Sequence, residues 1–233
     1  MRPGPAPPGD VVRRAEERHG GVDVLVNNAG YGLVGAVEEV SEAEAREIVD
    51  ADLLGALWLT QAVLPGMRAR GSGHVLQIST TGAVGAMPFL GLYNAAKWGL
   101  EGFSEALAGE VREFGVRVSI AELGAVDTQW GTGSMRFAAP DPAYDAVRDG
   151  VLGTSEVPWL SEPGATGGGT APREIAEELL RHVEAPSDGR LRLLVGDDAP
   201  GQVAAVLRRR LDEYALDPRF ATAEDAADGT AEA

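Results

Sequence analysis

Nineteen of the twenty basic side chains other than histidine in this 233-residue sequence are arginines, and the single lysine, Lys97, follows Tyr93 by four residues. Arginine and lysine are not equivalent: an ammonium is a compact, strongly hydrated point charge, whereas a guanidinium is a broad planar fork. A lone lysine in an arginine-rich chain therefore marks a position that wants a point charge. Beside a phenol that charge favours the phenolate and brings an ordinary pKa of about 10 toward the working range. Residues four apart on a helix share a face, so the two groups can converge on one cleft. The plain alternative is a solvated lysine on a helix surface. Thr80, thirteen residues before the tyrosine, adds a second hydroxyl able to polarise the same oxygen. One tuned phenol can give or take a proton, which is general acid–base chemistry.

Elements must exist to hold these groups, and the pattern supplies them. Strand-like and helix-like segments alternate, which predicts an α/β fold with a parallel sheet and flanking helices. Asp10 caps a short helix running to residue 17. Residues 22–27 (VDVLVN) read as a strand buried on both faces, as parallel sheets need. Ser41-Glu42-Ala43-Glu44 is a capping box that opens a long helix, with Ile48, Asp52, Leu53, Ala56, Thr60, Val63 and Met67 on its inner stripe and Gly71 and Gly73 at its end. Residues 74–79 form the next strand, 93–114 the next helix and 116–123 a third strand. Residues 129–170 read as an irregular insertion rich in Gly, Pro and aromatics. A helix over 172–183, a strand over 191–195 and a helix over 202–214 follow. The expected organisation is one Rossmann-like domain over 1–220 and an acidic, disordered tail over 221–233.

Composition narrows the functions. A formal charge of −16 opposes nucleic acid or an anionic membrane as partner. With no cysteine, disulfides and thiol chemistry are excluded. His19, His74 and His182 lie far apart in sequence and read as structural or exposed, so no metal is expected. The longest apolar stretch, around 53–65, is too short to span a bilayer, and the first ten residues lack a signal-peptide core. A cytoplasmic protein is the expectation.

Gly30-Tyr31-Gly32-Leu33-Val34-Gly35 matches the dinucleotide fingerprint G-x-G-x-x-G after a strand, with Asp50 and Asp52 near the distance of its acidic partner. That reading is rejected. The true motif opens a helix inside its glycines, whereas the capping signal here places the helix start at Ser41.

Four motifs in order, Asn27-Asn28-Ala29-Gly30, Ile78-Ser79-Thr80, Tyr93-x-x-x-Lys97 and Glu122-Leu123-Gly124 with Thr128 behind, resemble the short-chain dehydrogenase/reductase family from about residue 10 to 214. The resemblance implies an NAD- or NADP-dependent oxidoreductase interconverting a secondary alcohol with a ketone or aldehyde. It implies Tyr93 as acid/base, Lys97 as its electrostatic partner and ribose ligand, and Thr80 in place of a serine. Asn27, Ala29 and Gly30 would line the adenosine side of the cofactor, and Gly124 and Thr128 the nicotinamide amide. Asp52 falls where the family usually has an asparagine in a proton relay; a buried acid paired with backbone is its alternative reading. Leu123 replaces a proline. Hydride chemistry belongs to the cofactor, since no side chain carries it. A small to medium hydrophobic substrate is expected, with Trp130, Met135, Phe137, Tyr144 and Trp159 either closing over it or packing the insertion. A homodimer or tetramer is expected by the same likeness.

The family also begins with a strand, a glycine-rich phosphate loop and further strands that this sequence does not contain. An N-terminally incomplete fold, from a misplaced start or a fragment, is therefore expected, against a naturally shortened chain whose strand edge another chain covers. The alternative function is a non-catalytic interaction protein that no longer binds cofactor.

Overall fold

The computed structural model describes residues 7–159, 165–185 and 187–220, so the tail expected over 221–233 lies outside the described residues. In chain order the elements are α1 (Pro8–His19), β1 (Val24–Asn27), β2 (Leu33–Val34), α2 (Glu42–Val49), a π-helical turn (Asp50–Leu54) and α3 (Gly55–Arg70). Then follow β3 (Gly73–Thr80), α4 (Gly91–Val111), β4 (Val116–Leu123), β5 (Arg136–Phe137), α5 (Asp145–Leu152), α6 (Pro172–Val183), β6 (Arg192–Val195) and α7 (Ala199–Ala215). The main sheet is parallel in the order β1-β3-β4-β6, and β2 pairs with β5 in a separate two-stranded ribbon.

Alternation along the strands builds two cores. Val75, Val116 and Val118 pack with Met67 of α3 and Leu107 and Val111 of α4. The opposite face, Leu76, Ile78, Ala121, Leu193 and Val195, packs on Ile175 of α6. Each such side chain taken from water contributes on the order of 1.5–3 kcal/mol. Gly73 opens β3 rather than ending the preceding helix, and the reason is packing: a Cβ there would lie 2.5 Å from Cγ of Met67.

Several sequence expectations shift. The first helix begins at Pro8, not Asp10, because proline suits the first turn; Asp10 sits inside that turn, where a carboxylate favours the helix dipole. The strand expected over 22–27 and buried on both faces is the shorter β1, and one face is open: Val26 is 50% exposed while Asn27 is buried. The insertion carries β5 and α5, and the last helix starts at Ala199. The helical run Glu42–Arg70 is long and apolar enough to cross a bilayer by length and composition, counter to the reading of 53–65 alone. Here Ile48, Asp52, Thr60, Val63 and Met67 of that run are buried within the fold.

Candidate active site

The capping box forms as expected: Ser41 Oγ accepts from the Glu44 N–H while the Glu44 carboxylate accepts from the Ser41 N–H, fixing where α2 begins. With the helix starting there, the glycines 30–35 hold no helix N-terminus, and the rejected fingerprint stays rejected. About two turns later the helix widens into the π-helical turn at Asp50–Leu54, and Asp52 points inward, 1% exposed. Single π turns are uncommon and gather at functional sites. Asp52 Oδ1 accepts the Tyr31 N–H at 3.0 Å, whereas Oδ2 has no hydrogen-bond partner among the described residues. Gly30 must be glycine for this reason, since a Cβ would lie 2.7 Å from Oδ2.

On α4, Tyr93 and Lys97 are both buried, at 8% and 6% exposure. The Lys97 Nζ donates to the Ile78 carbonyl at 3.1 Å, lies 3.9 Å from Asp52 Oδ2 and stands 5.9 Å from the Tyr93 ring centre. Burial raises the Asp52 carboxyl against the pull of Lys97 and of the Tyr31 N–H. Burial likewise lowers Lys97, and Asp52 opposes it. The Tyr93 phenol is pushed well above its ordinary value, first by burial and then by the Asp52 charge; a hydrogen bond with Thr80 acts the other way. Trp130 lies over the phenol, ring centres 5.2 Å apart.

These groups line one cavity of about 670 Å³ at the carboxyl ends of β3 and β4. Open α/β sheets bind ligands at that end. Of the expected residues, Gly30, Asp52, Thr80, Tyr93, Lys97, Gly124 and Thr128 all reach it. Asn27 does not: its amide donates to Gln77 Oε1 at 2.9 Å and Thr60 Oγ1 at 3.1 Å, tying β1 to β3 and α3. Ala29 does not line it either, whereas Asn28 does. Gly124 is bare for a second reason, because Asp198 accepts the Ala125 N–H at 3.0 Å and a Cβ would meet that carboxylate at 2.0 Å. Thr128 Oγ1 accepts the backbone N–H of Trp130 at 3.2 Å, fixing the chain from which that indole projects.

Sequence reading missed Gly167 and Gly168, and Ile175 of α6, which close the far wall. Their signal was the run Gly167-Gly168-Gly169 ahead of α6; Gly168 and Gly169 have φ of 71° and 108°. Of the four insertion aromatics and Met135, Trp130 lines the cavity. Phe137 and Trp159 stack edge to face, and Tyr144 donates to Glu38, so they pack the insertion. His74 and His182 are structural as expected but not distant. Both are buried, bridged by Ser119 Oγ at 3.0 and 2.8 Å, and neither lines the cavity.

A family model described as short chain dehydrogenase matches residues 8–136, more than half of the chain. The chain belongs to the short-chain dehydrogenase family. The oxidoreductase BOA17 of Botryotinia fuckeliana is 35% identical over 199 residues, covering 84% of this short-chain dehydrogenase and 70% of the relative. Among solved structures, a short-chain dehydrogenase from Streptomyces avermitilis superposes with a TM-score of 0.75 at 33% identity, covering 96% of this chain and 77% of that one. An alcohol dehydrogenase from the archaeon Thermococcus sibiricus, complexed with 5-hydroxy-NADP, gives 0.60 at 28% identity over 80% and 67%. Several further curated relatives are matched over 36–47% of their own length.

Proposed function

We propose that this short-chain dehydrogenase is an NAD(P)-dependent oxidoreductase that interconverts a small to medium hydrophobic alcohol with its ketone or aldehyde. One observation carries the reading: a buried tyrosine and the chain's single lysine, one helical turn apart, face the same strand-end cavity. The cofactor reading is supported by the residues present at one end of that cavity. Gly168, with open space where a Cβ would stand, leaves backbone open to close approach, and Lys97 offers a cation beside the phenol. When bound, the nicotinamide supplies or accepts the hydride. Tyr93 gives its proton to the substrate oxygen in reduction and takes one in oxidation. Thr80 polarises the same oxygen through its hydroxyl. Lys97 is held beside the phenol by its hydrogen bond to the Ile78 carbonyl. Trp130 covers the phenol and keeps water from it. The apolar wall of Ile175, Ala176 and Leu179 favours a hydrophobic substrate. Exposed Trp58 on α3 and Trp98 on α4 support pairing of two copies across these helices.

Titration of the purified chain with NADPH and NADH, followed by nicotinamide fluorescence, tests this reading. Saturable binding and turnover of hydrophobic aldehydes are expected, with Tyr93→Phe lowering kcat by about 10²–10⁴-fold and leaving cofactor affinity in place. No binding at millimolar cofactor would instead favour a non-catalytic interaction protein.

A further inference from the structure

Asp52 holds a carboxylate where charge is hardest to keep. Its side chain has no exposed surface, one oxygen is satisfied by the Tyr31 N–H, and the other faces Lys97 at 3.9 Å with no hydrogen-bond partner among the described residues. Lys97, 7% exposed in its side chain, spends its visible hydrogen bond on a neutral carbonyl. As a unit the pair carries no net charge, whichever partner holds the proton. The groups around the phenol are then few. Lys97 faces it from its own helix, Asp52 from the π-helical turn and Thr80 from β3. Trp130 and Tyr31, packed in the same cluster, bring rings and no charge. A bare ammonium beside a buried phenol would favour phenolate; an ammonium cancelled by an adjacent carboxylate does so far less.

We propose that Asp52 is a positioning residue that cancels the field of Lys97 at the Tyr93 hydroxyl, holds that phenol protonated, and so readies the resting site to donate a proton, as carbonyl reduction requires. The proposal rests on the oxidoreductase reading and narrows it to a ketone or aldehyde as the working substrate. In that direction the carbonyl carbon gains a hydride as the reduced nicotinamide is oxidised, the C=O π bond breaks, and its oxygen takes the phenolic proton. Water then returns a proton to Tyr93. Asp52 acts through Lys97, 3.9 Å from its unpaired oxygen.

The test reads the phenol directly in the chain without cofactor. Tyrosine labelled with ¹³C at Cζ is followed by NMR against pH, with Tyr93→Phe assigning the signal. In the wild type Tyr93 is expected to stay protonated above the ordinary value of about 10, and in Asp52→Asn to ionise at least about one unit lower. Asparagine keeps an acceptor for the Tyr31 N–H, and Asp52→Ser serves if that variant does not fold. With NADP and a hydrophobic alcohol, the rise of the oxidation rate with pH is expected to move at least about one unit lower in Asp52→Asn. A Tyr93 titration that does not move between wild type and Asp52→Asn overturns the proposal, as does a wild-type phenol that ionises below its ordinary value. A shifted titration in a chain that binds no cofactor supports the pairing and overturns the oxidoreductase reading instead.

Discussion

At the residue scale, burial decides what each ionisable group does. Glu122 on β4 is 1% exposed, and its Oε1 lies 3.2 Å from Arg192 Nε without being aligned for a hydrogen bond. Burial and the nearby Glu101 push its carboxyl up to about 7, against the pull of Arg192. A carboxyl raised on folding leaves the native state holding the extra proton, so stability is fully present below the unfolded value of about 4.5 and is lost as pH rises through about 7. Glu122→Gln is therefore expected to be more stable than the wild type near pH 8, by up to about 3 kcal/mol, and to lose that advantage near pH 4. Urea midpoints at the two pH values check it; equal midpoints near pH 8 would refute it. Tyr93 and Lys97 were legible in the sequence because residue type and helical spacing are both one-dimensional facts. Asn27 was not, because the face to which a strand-end amide turns depends on which side of the sheet its neighbours cover, and α3 takes that side.

At the element scale, the insertion is held as a wall. Arg148 of α5, 1% exposed, pairs with the equally buried Glu39 and with Asp145, and its guanidinium lies over Phe89. Glu39 also accepts the N–H groups of Ala36 and Asp141, so one carboxylate joins the segment after β2 to the start of α5. Removing one partner of a buried pair strands the other charge at a cost of about 3–5 kcal/mol. Arg148→Met is expected to lower stability by that order and to speed amide exchange across 141–152, read by mass spectrometry. Unchanged exchange there would mean that Glu39 holds the insertion alone. Elements with strong periodicity, β4 and α6 above all, were readable to the residue. The π-helical turn was not, since its extra residue leaves the apolar spacing of Ile48, Thr60, Val63 and Met67 almost as regular as an α-helix would.

At the scale of the whole molecule, the sheet and its two cores place every strand end that bears chemistry on one rim. Fold class was legible because alternating segments admit few arrangements. The far wall formed by Gly167, Gly168 and α6 was not, because its contact with the β4 end is long-range: Val126 bridges to Thr170. Trp58 is 46% exposed on the outer side of α3. If two copies pair there, Trp58→Glu is expected to halve the mass seen by light scattering while leaving the thermal midpoint within a few degrees. An unchanged mass would place the contact elsewhere.

The widened turn at Asp50–Leu54 amounts to one amino acid more than regular winding requires. Removing a single codon there, Ala51 for example, would let the backbone rewind with its two flanking halves in their present orientation. The scaffold should survive such a loss while the acid swings out of register with the ammonium. Architecture and proton chemistry in this protein would then be separable by a three-nucleotide deletion.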